Sequence, residues 1–246
     1  MTLNPTVDIV IPVLNEEESL PICVQKLLNH THLFKQYRWK IIIADNGSED
    51  STGKISKKLT YLHSNVYYLR LKEKGRGRAL KRAWGNSTSE VMIYMDVDLS
   101  TNLDALIPLI DGIIIENFDI CVGTRLSKKS KVIGRKFIRE IMSRGYNFLI
   151  SCFFPWKGFS DAQCGFKGIS KKVGYNILPY IKDNEWFFDT ELLLACRHYS
   201  IPVKEIAVNW VDDPDTRVKI LPTVWKDIKG LIRLRLLGFN KNIDKI

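Results

Sequence analysis

Two carboxylates one residue apart, Asp96 and Asp98, stand directly after the apolar run Val91–Met95. Carboxylate oxygens suit hard cations such as Mg²⁺ and Mn²⁺, which commonly share their coordination shell with substrate phosphates. A cation bound there would neutralise the charge that builds on a departing diphosphate. Asp-x-Asp is also common in surface turns. The interpretation of the pair as a metal site is therefore favoured only if Val91–Met95 is a strand of a larger sheet.

A second polar cluster, Asp45-Asn46-Gly47-Ser48, follows the apolar run Lys40–Ala44. It is typical of a turn with a helix cap, and it also suits a pocket in which Asp45 or Asn46 hydrogen-bonds a nucleobase or ribose.

The segment Lys74-Gly75-Arg76-Gly77-Arg78 combines glycine with three cations at the start of a predicted helix. Backbone N–H groups in such a loop, and the helix N-terminus, can bind phosphate, with Lys74 and Arg76 as candidate contacts. The spacing matches neither a Walker A loop nor the G-x-G-x-x-G fingerprint, and a solvated basic turn is an equal alternative.

The elements that would position these clusters alternate between strand and helix. Predicted strands are Val7–Val13, Lys40–Ala44, Val66–Arg70, Val91–Met95 and Asp119–Val122. Predicted helices run from an N-cap at Asn15 to about Asn29, from a cap at Asp50-Ser51-Thr52, over Gly75–Trp84 and over Leu103–Ile115. This alternation predicts an α/β fold with a doubly wound, mainly parallel sheet. Ligands bind such sheets beyond the carboxyl ends of the strands, where Asn15, Asp45, Asp96 and Thr124 stand.

Composition narrows the class of protein without naming a partner. The 246 residues, 45% of them hydrophobic, suffice for one large α/β domain or two small ones. The net charge of +10 favours anionic partners, namely nucleic acid, phosphorylated metabolites or a membrane surface. Five scattered cysteines argue against a disulfide framework or structural zinc and favour reduced thiols in the cytoplasm.

Membrane contact is predicted to be peripheral. The N-terminus has no basic leader, so no signal peptide is expected, and the longest apolar stretches, Leu103–Ile115 and Tyr146–Trp156, fall short of the ~20 residues that span a bilayer. Tyr146–Trp156 and Trp225–Phe239 carry aromatic and aliphatic residues beside cations, as interfacial helices do. Core packing with a solvated face is the alternative for both.

Seven motifs occur in the order seen in family 2 glycosyltransferases: DIVIPVLNEEESL, IIIADNGSEDST, EKGRGRAL, YMDVDLST, VGTRL, SDAQCGFK and WFFDTELL. Over roughly residues 7–235 the chain resembles the polyprenyl-phosphate (dolichyl-phosphate) glucosyl- and mannosyltransferase branch, and DAQCGFK with WFFD is closer to the glucosyl side. The resemblance implies a GT-A fold in one domain, 1–246. Its parts would be a Rossmann-like nucleotide-sugar half (1–125), an acceptor half (126–222) and a basic amphipathic C-terminal segment (223–246).

The resemblance also implies which residues contact the donor. They are Pro12, Leu14, Asn15, Glu16, Asp45, Asn46, Asp96, Val97, Asp98 and, in a basic segment that closes over the diphosphate, Arg217 and Lys219. Asp96 and Asp98 would hold the metal, and Asp98, Asp189 and Arg217 would be catalytic. The chain departs from relatives at Asn46, where many have a second acid, and at Ser100, where mannosyl relatives have a glutamine metal ligand.

On the acceptor side, the resemblance places Arg125, Arg139 and Ser143 around the acceptor phosphate, and we expect Asp161 and Gln163 to line the same cleft. Arg139 and Ser143 are four apart and share a helix face, and an arginine fork suits phosphate oxygens. A solvated charge, or a turn for Asp161 and Gln163, is the alternative. An acid near Asp189 is the general base in relatives with hydroxyl acceptors. A phosphate acceptor is already ionised, so Asp189 would instead orient a substrate or cap a helix.

The predicted function is inverting transfer of a hexose, glucose rather than mannose, to polyprenyl or dolichyl phosphate. UDP-glucose is the favoured donor over GDP-mannose, with Mg²⁺ or Mn²⁺ as cofactor. The predicted location is the cytoplasmic face of a membrane, which allows for a separate membrane-embedded partner protein. Alternatives are a family 2 transferase with a hydroxyl acceptor, a nucleotide-binding regulator without activity, and a basic nucleic-acid-binding module. The last has no helix-turn-helix, RNA-recognition or zinc-knuckle motif in its favour.

Overall fold

Seven strands form the central sheet of the computed structural model, which describes residues 4–212 and 220–240. In chain order they are β1 (Thr6–Val13), β2 (Arg38–Asp45), β3 (Val66–Arg70), β4 (Val91–Met95), β5 (Ile120–Thr124), β7 (Phe166–Ser170) and β8 (Val203–Ala207). A separate parallel pair consists of β6 (Lys131–Ile133) and β9 (Asn209–Val211). The spatial order of the large sheet is β3-β2-β1-β4-β7-β5-β8, and only β7 runs antiparallel to its neighbours. The doubly wound, mainly parallel sheet is therefore confirmed.

Helices cover both faces of this sheet. They are α1 (Ser19–His32), α2 (Thr52–Leu62), α3 (Arg76–Gly85), α4 (Leu106–Ile114), α5 (Phe137–Phe153), α6 (Lys171–Asn176), α7 (Phe188–His198) and α8 (Ile220–Leu237), with 3₁₀ turns at Leu103–Ala105 and Leu178–Tyr180. Every residue of β4 is buried, with Met92 and Tyr94 in one core and Val91, Ile93 and Met95 in the other. A central strand covered on both faces has this continuous apolar character.

The predicted start of the first helix is wrong. Helix α1 begins at Ser19, and Asn15 lies before it with φ 55°, in the left-handed region that asparagine tolerates. Its Oδ1 accepts a hydrogen bond from Glu49 N at 2.9 Å instead of capping the helix. Of the predicted cap Asp50-Ser51-Thr52 before α2, Asp50 supplies the side-chain hydrogen bond to the helix start: its Oδ1 accepts from Thr52 N at 2.9 Å.

The apolar stretch after residue 145 continues helix α5. Tyr146, Ile150 and Phe154 are buried in the core, so the core-packing alternative is correct for them. The exposed apolar side chains of α5 lie mostly earlier, at Phe137, Ile138, Ile141 and Phe148. Helix α5 packs against α8, whose own exposed apolar side chains include Trp225, Ile232 and Leu236. Within the described ranges, each helix is too short or too polar to cross a membrane.

Candidate active site

The loops after β1 and β2 form one edge of the site. Asn15 N donates to Ser48 Oγ at 3.0 Å and Glu16 N to Thr52 Oγ1 at 2.8 Å, so the Pro12–Glu16 segment is fastened to the turn after β2. Asp45 is fully buried. Its Oδ1 accepts from Ser48 N at 2.8 Å, and its Oδ2 accepts from Tyr68 OH at 2.7 Å. The turn-forming interpretation of Asp45 is therefore correct, and a contact with a nucleoside stays a prediction.

Asn46 joins this edge to the glycine-rich loop. Its Oδ1 accepts from Gly75 N at 2.6 Å, which fixes the loop that leads into α3. Gly75 has φ 151°, a value that favours glycine. The two basic candidates of the loop then diverge, because Lys74 pairs with the exposed Glu49 at 2.9 Å whereas Arg76 turns inward.

The pair Asp96 and Asp98 follows the end of β4, at the same edge of the sheet as Asp45. Asp96 Oδ1 accepts from Arg76 Nη2 at 2.7 Å, and Asp98 Oδ1 accepts from Ser100 N at 2.9 Å. Val97, between them, packs against the core. A Cβ atom on Gly165 would lie 1.7 Å from Asp96 Oδ2, so only glycine leaves room for this carboxylate.

The donor atoms around this pair fit a hard divalent cation. Ser100 Oγ is buried and has no hydrogen-bond partner among the described residues, beside the carboxylates of Asp96 and Asp98 in one small cavity. Such oxygen ligands suit Mg²⁺ and Mn²⁺. Residues 4–212 and 220–240 contain no cluster of three or more histidine, cysteine or acidic side chains with metal-binding geometry. A cation held here would thus take its other ligands from phosphate oxygens or water.

Asp189 lies in the first turn of α7, where its side chain does not cap the helix. It accepts from Arg76 Nη1 at 2.6 Å, from Lys167 Nζ at 2.9 Å and from Tyr94 OH. Asp183 Oδ1 accepts from Phe188 N at 3.0 Å and serves the helix start instead. Burial alone would raise the pKa of Asp189, but Lys167 and Arg76 outweigh it and lower the pKa. The helix-cap alternative is wrong, and this carboxylate is ionised at neutral pH.

Lys167 and Tyr94 were not predicted as site residues. Lys167 is fully buried in β7 and also donates to Cys164 O at 2.6 Å. A single lysine inside a buried strand is the pattern that indicates such a role, because a buried ammonium requires a partner. Tyr94 is hidden in the apolar run of β4, and nothing in the local sequence distinguishes it from a core residue.

The acceptor-side candidates are built around ion pairs. Arg125 Nε and Nη2 donate to the two oxygens of Asp161 at 2.8 and 2.9 Å, and the two side chains are 11% and 0% exposed. Arg139 Nη1 lies 2.5 Å from Asp212 Oδ2. Burial and the neighbouring charge of Arg125 lower the pKa of Arg135, a residue that we did not predict for the site. Arg125, Arg135 and Arg139, the arginine cluster, are each ion-paired, with Asp161, Glu140 and Asp212 respectively.

The remaining acceptor candidates lie between α5 and α8. Ser143 is buried in α5, and its Oγ has no hydrogen-bond partner within the described part of the chain. Gln163 Nε2 donates to Asp227 Oδ2 at 3.3 Å, so the 160s loop contacts α8. Asp227 was not predicted, because nothing before the fold is known distinguishes it from other acids of a basic helix. Arg217 and Lys219 lie outside the described residues.

Comparisons with known proteins place this geometry in a family. The family model described as glycosyl transferase family 2 matches residues 8–176. Glycosyltransferase AglD of Haloferax volcanii is 29% identical, over 92% of this chain and 35% of that protein. Dolichyl-phosphate beta-glucosyltransferase of Dictyostelium discoideum is 29% identical, over 97% of this chain and 77% of that protein. The human enzyme of the same name is 29% identical, over 85% and 69%.

Solved structures share the fold at low identity. Glucosyl-3-phosphoglycerate synthase from Mycobacterium tuberculosis, solved with Mn²⁺, UDP and glucosyl-3-phosphoglycerate, superposes with a TM-score of 0.68 at 14% identity, covering 97% of this chain and 82% of that one. Mannosyl-3-phosphoglycerate synthase from Rubrobacter xylanophilus gives 0.67 at 14% identity, covering 97% and 77%. The predicted GT-A fold is thereby confirmed, and the chain belongs to glycosyl transferase family 2.

Proposed function

We propose that this chain transfers glucose from UDP-glucose to a polyprenyl or dolichyl phosphate with inversion, using Mg²⁺ or Mn²⁺. The observation that carries the proposal is the position of Asp96 and Asp98, directly after β4 and beside the buried hydroxyl of Ser100, which has no hydrogen-bond partner among the described residues. The relatives named dolichyl-phosphate beta-glucosyltransferase favour glucose and a lipid-phosphate acceptor.

On the donor side, Asp96 and Asp98 would hold the metal, which supplies positive charge against the leaving diphosphate. The Pro12–Glu16 segment and the turn at Asp45 and Asn46 would receive the nucleoside. Both are preorganised by hydrogen bonds between the two loops, which reduces the entropic cost of binding. Arg217 and Lys219 would lie against the diphosphate, as the family pattern implies.

On the acceptor side, the arginine cluster would attract the phosphate, with Arg139 and Ser143 on one face of α5. The acceptor oxygen attacks the anomeric carbon, a carbon–oxygen bond to the acceptor forms, and the bond to UDP breaks on the opposite face. A phosphate oxygen needs no general base at neutral pH. Asp189 is consistent with a reaction that needs no general base, because Arg76 and Lys167 occupy both its oxygens and lower its pKa, which makes it a weaker base.

A lipid acceptor requires a surface that meets the membrane. We assign this role to the outer apolar face, defined as Phe137, Ile141 and Phe148 of α5 with Trp225, Ile232 and Leu236 of α8; these side chains are between 42% and 80% exposed. The same two helices and the residue before α5 carry the cations Lys136, Arg144, Lys226, Lys229 and Arg235, which suit the anionic cytoplasmic leaflet. Arg144 and Lys226 also pair with Glu140 and Glu185. A vesicle sedimentation experiment tests this assignment. The double variant Phe148→Ser with Trp225→Ser should lower the partition coefficient of the protein onto anionic vesicles by about tenfold. Tyr61→Ser with Leu62→Ser, exposed on α2, is the control, and unchanged sedimentation of the first pair would contradict the assignment.

The decisive experiment is a donor and acceptor panel. UDP- and GDP-sugars are incubated with polyprenyl phosphates, Mn²⁺ or Mg²⁺ and the protein, and labelled sugar is counted in the organic phase. We expect transfer from UDP-glucose that chelation of the metal abolishes. Transfer to a glycan or glycolipid hydroxyl, but not to polyprenyl phosphate, would refute the acceptor and favour the hydroxyl alternative.

A further inference from the structure

One arginine bridges two acids that stand 93 positions apart in the sequence, Asp96 and Asp189. Arg76 Nη2 lies 2.7 Å from Asp96 Oδ1, and its Nη1 lies 2.6 Å from Asp189 Oδ2. The guanidinium carbon lies 4.8 and 5.0 Å from the ring centroids of Tyr94 and Trp186, and the side chain is only 10% exposed. Arg76 therefore occupies a closed cradle against a carboxylate that we assign to the metal.

Asp189 has a second cation that is independent of this bridge. Lys167 Nζ lies 2.9 Å from Asp189 Oδ1, the oxygen that Arg76 does not contact. Lys167 is fully buried, which keeps the pair out of water. Asp189 thus keeps a counter-ion of its own, and the charge of Arg76 remains available to Asp96.

The guanidinium of Arg76 on Asp96 opposes a divalent cation that arrives alone. Asp96, Asp98 and Asp189 outnumber the two cations Arg76 and Lys167, so the cluster as a whole retains a negative charge. The carboxylate of Asp96 itself is nevertheless already neutralised by Arg76. A metal ion at Asp96 would meet the guanidinium on the same carboxylate, and like charges at such range repel. A nucleotide diphosphate carries several negative charges, and it offers Arg76 a new anionic partner when the metal takes Asp96.

We propose that Arg76 is a built-in counter-cation of Asp96 that opposes metal binding until a diphosphate binds with the metal. This inference rests on the proposed function, since it takes Asp96 as a metal ligand. Arg76 is then a positioning residue. In the free protein its guanidinium holds the Asp96 carboxylate in place, and in the loaded protein the guanidinium pairs with the diphosphate instead.

Calorimetric titration of Mn²⁺ tests the inference without any turnover. Arg76→Met should bind Mn²⁺ alone about tenfold more tightly than the wild type, because the competing charge is gone. UDP should reduce or reverse this difference, since the variant lacks a cation for the diphosphate. Arg82→Met, an exposed arginine on the same helix α3, is the matched control and should bind Mn²⁺ like the wild type. An affinity of Arg76→Met for Mn²⁺ alone that equals or falls below that of the wild type would overturn the inference.

A second pair of variants separates charge from packing should Arg76→Met unfold. Arg76→Gln should bind Mn²⁺ alone more tightly than Arg76→Lys, which retains the cation, and equal affinities would overturn the inference. Wild-type protein that binds Mn²⁺ with UDP but fails to glucosylate polyprenyl phosphate would refute the proposed acceptor. The Mn²⁺ affinities of the variants would still decide this inference. Absence of Mn²⁺ binding even with UDP would refute both.

Discussion

The carboxylates around the strand ends and the carboxylate between helices α5 and α8 have opposite surroundings. Around the strand ends four acids have a cationic partner: Asp45 with Arg70, Asp96 with Arg76, Asp161 with Arg125 and Asp189 with Lys167. Asp227 of α8 is as buried as Asp45 and Asp161, yet it forms no salt bridge within the described part of the chain and meets Gln163 instead. The outer side of the same two helices exposes large apolar residues.

This difference indicates a division of labour. The strand-end region holds its charges paired and in place, so an anionic donor can exchange partners there without an uncompensated buried charge. The helical region presents exposed apolar side chains that suit a lipid acceptor. Damage to the first region should remove the reaction, whereas damage to the second should weaken acceptor use or alter stability.

Asp98→Ala should have the largest effect. Loss of a metal ligand should lower turnover by about a thousandfold or more, because the leaving diphosphate loses its charge stabilisation. Circular dichroism should show a retained fold. Asp104→Ala, an exposed aspartate six residues later, should retain activity. Normal activity of Asp98→Ala would refute the site assignment.

Gly165→Ala tests the geometry of the same region from the opposite side. The new Cβ would lie 1.7 Å from Asp96 Oδ2, so the carboxylate must move away from Arg76 and from the metal position. We expect Mn²⁺–UDP affinity to fall by roughly a hundredfold, since a displaced carboxylate loses its coordination. Gly145→Ala on α5 meets open space and should preserve this affinity, with a stability gain of up to about 1 kcal/mol. Equal affinities of the two variants would contradict the placement of Asp96.

Sequence reasoning succeeded where the determinants are local. Val66–Arg70 and Val91–Met95 were predicted end to end as strands β3 and β4, because each is a short apolar or β-branched run bounded by turn residues. The order of the strands then brought Asp45 and Asp96 to one edge. The Asn15 cap failed because a bond to Glu49, 34 residues away, competes with the local one.

The partners of the second half could not be read from the sequence. Strand β7 inserts antiparallel between β4 and β5, although it follows β5 by more than 40 residues, and it places Lys167 beside Asp189. No periodicity specifies which strand a later one will join. The bridge from Arg76 to Asp189 spans 113 residues and depends on that insertion.

Arg139→Ala probes the border between the two regions. Removal of one guanidinium from the arginine cluster should lower kcat/KM for polyprenyl phosphate by about 10- to 100-fold, as expected for a charge-assisted contact with phosphate. Mn²⁺–UDP affinity should not change, and transfer to a hydroxyl acceptor should change little. Arg82→Ala, an exposed arginine on α3, is the control. An equal loss with both acceptors would indicate that Arg139 only fastens Asp212 and β9.

The last prediction concerns stability rather than activity, at Asp227 of the helical region. Burial, together with the charges of Asp183 and Asp189, raises the pKa of Asp227 from 3.8 to about 7. The folded protein therefore keeps a proton that the unfolded chain has released, and the wild type should lose stability as pH rises between these two values. Asp227→Asn removes this cost, so its free energy of unfolding should exceed that of the wild type by up to about 4 kcal/mol at pH 8, and by little at pH 4. Denaturant unfolding at both pH values measures the difference, with the exposed Asp104→Asn as control. A stability gain that is equal at pH 4 and pH 8 would show that Asp227 is not titrating. The contrast with the paired carboxylates of the strand ends would then not be electrostatic.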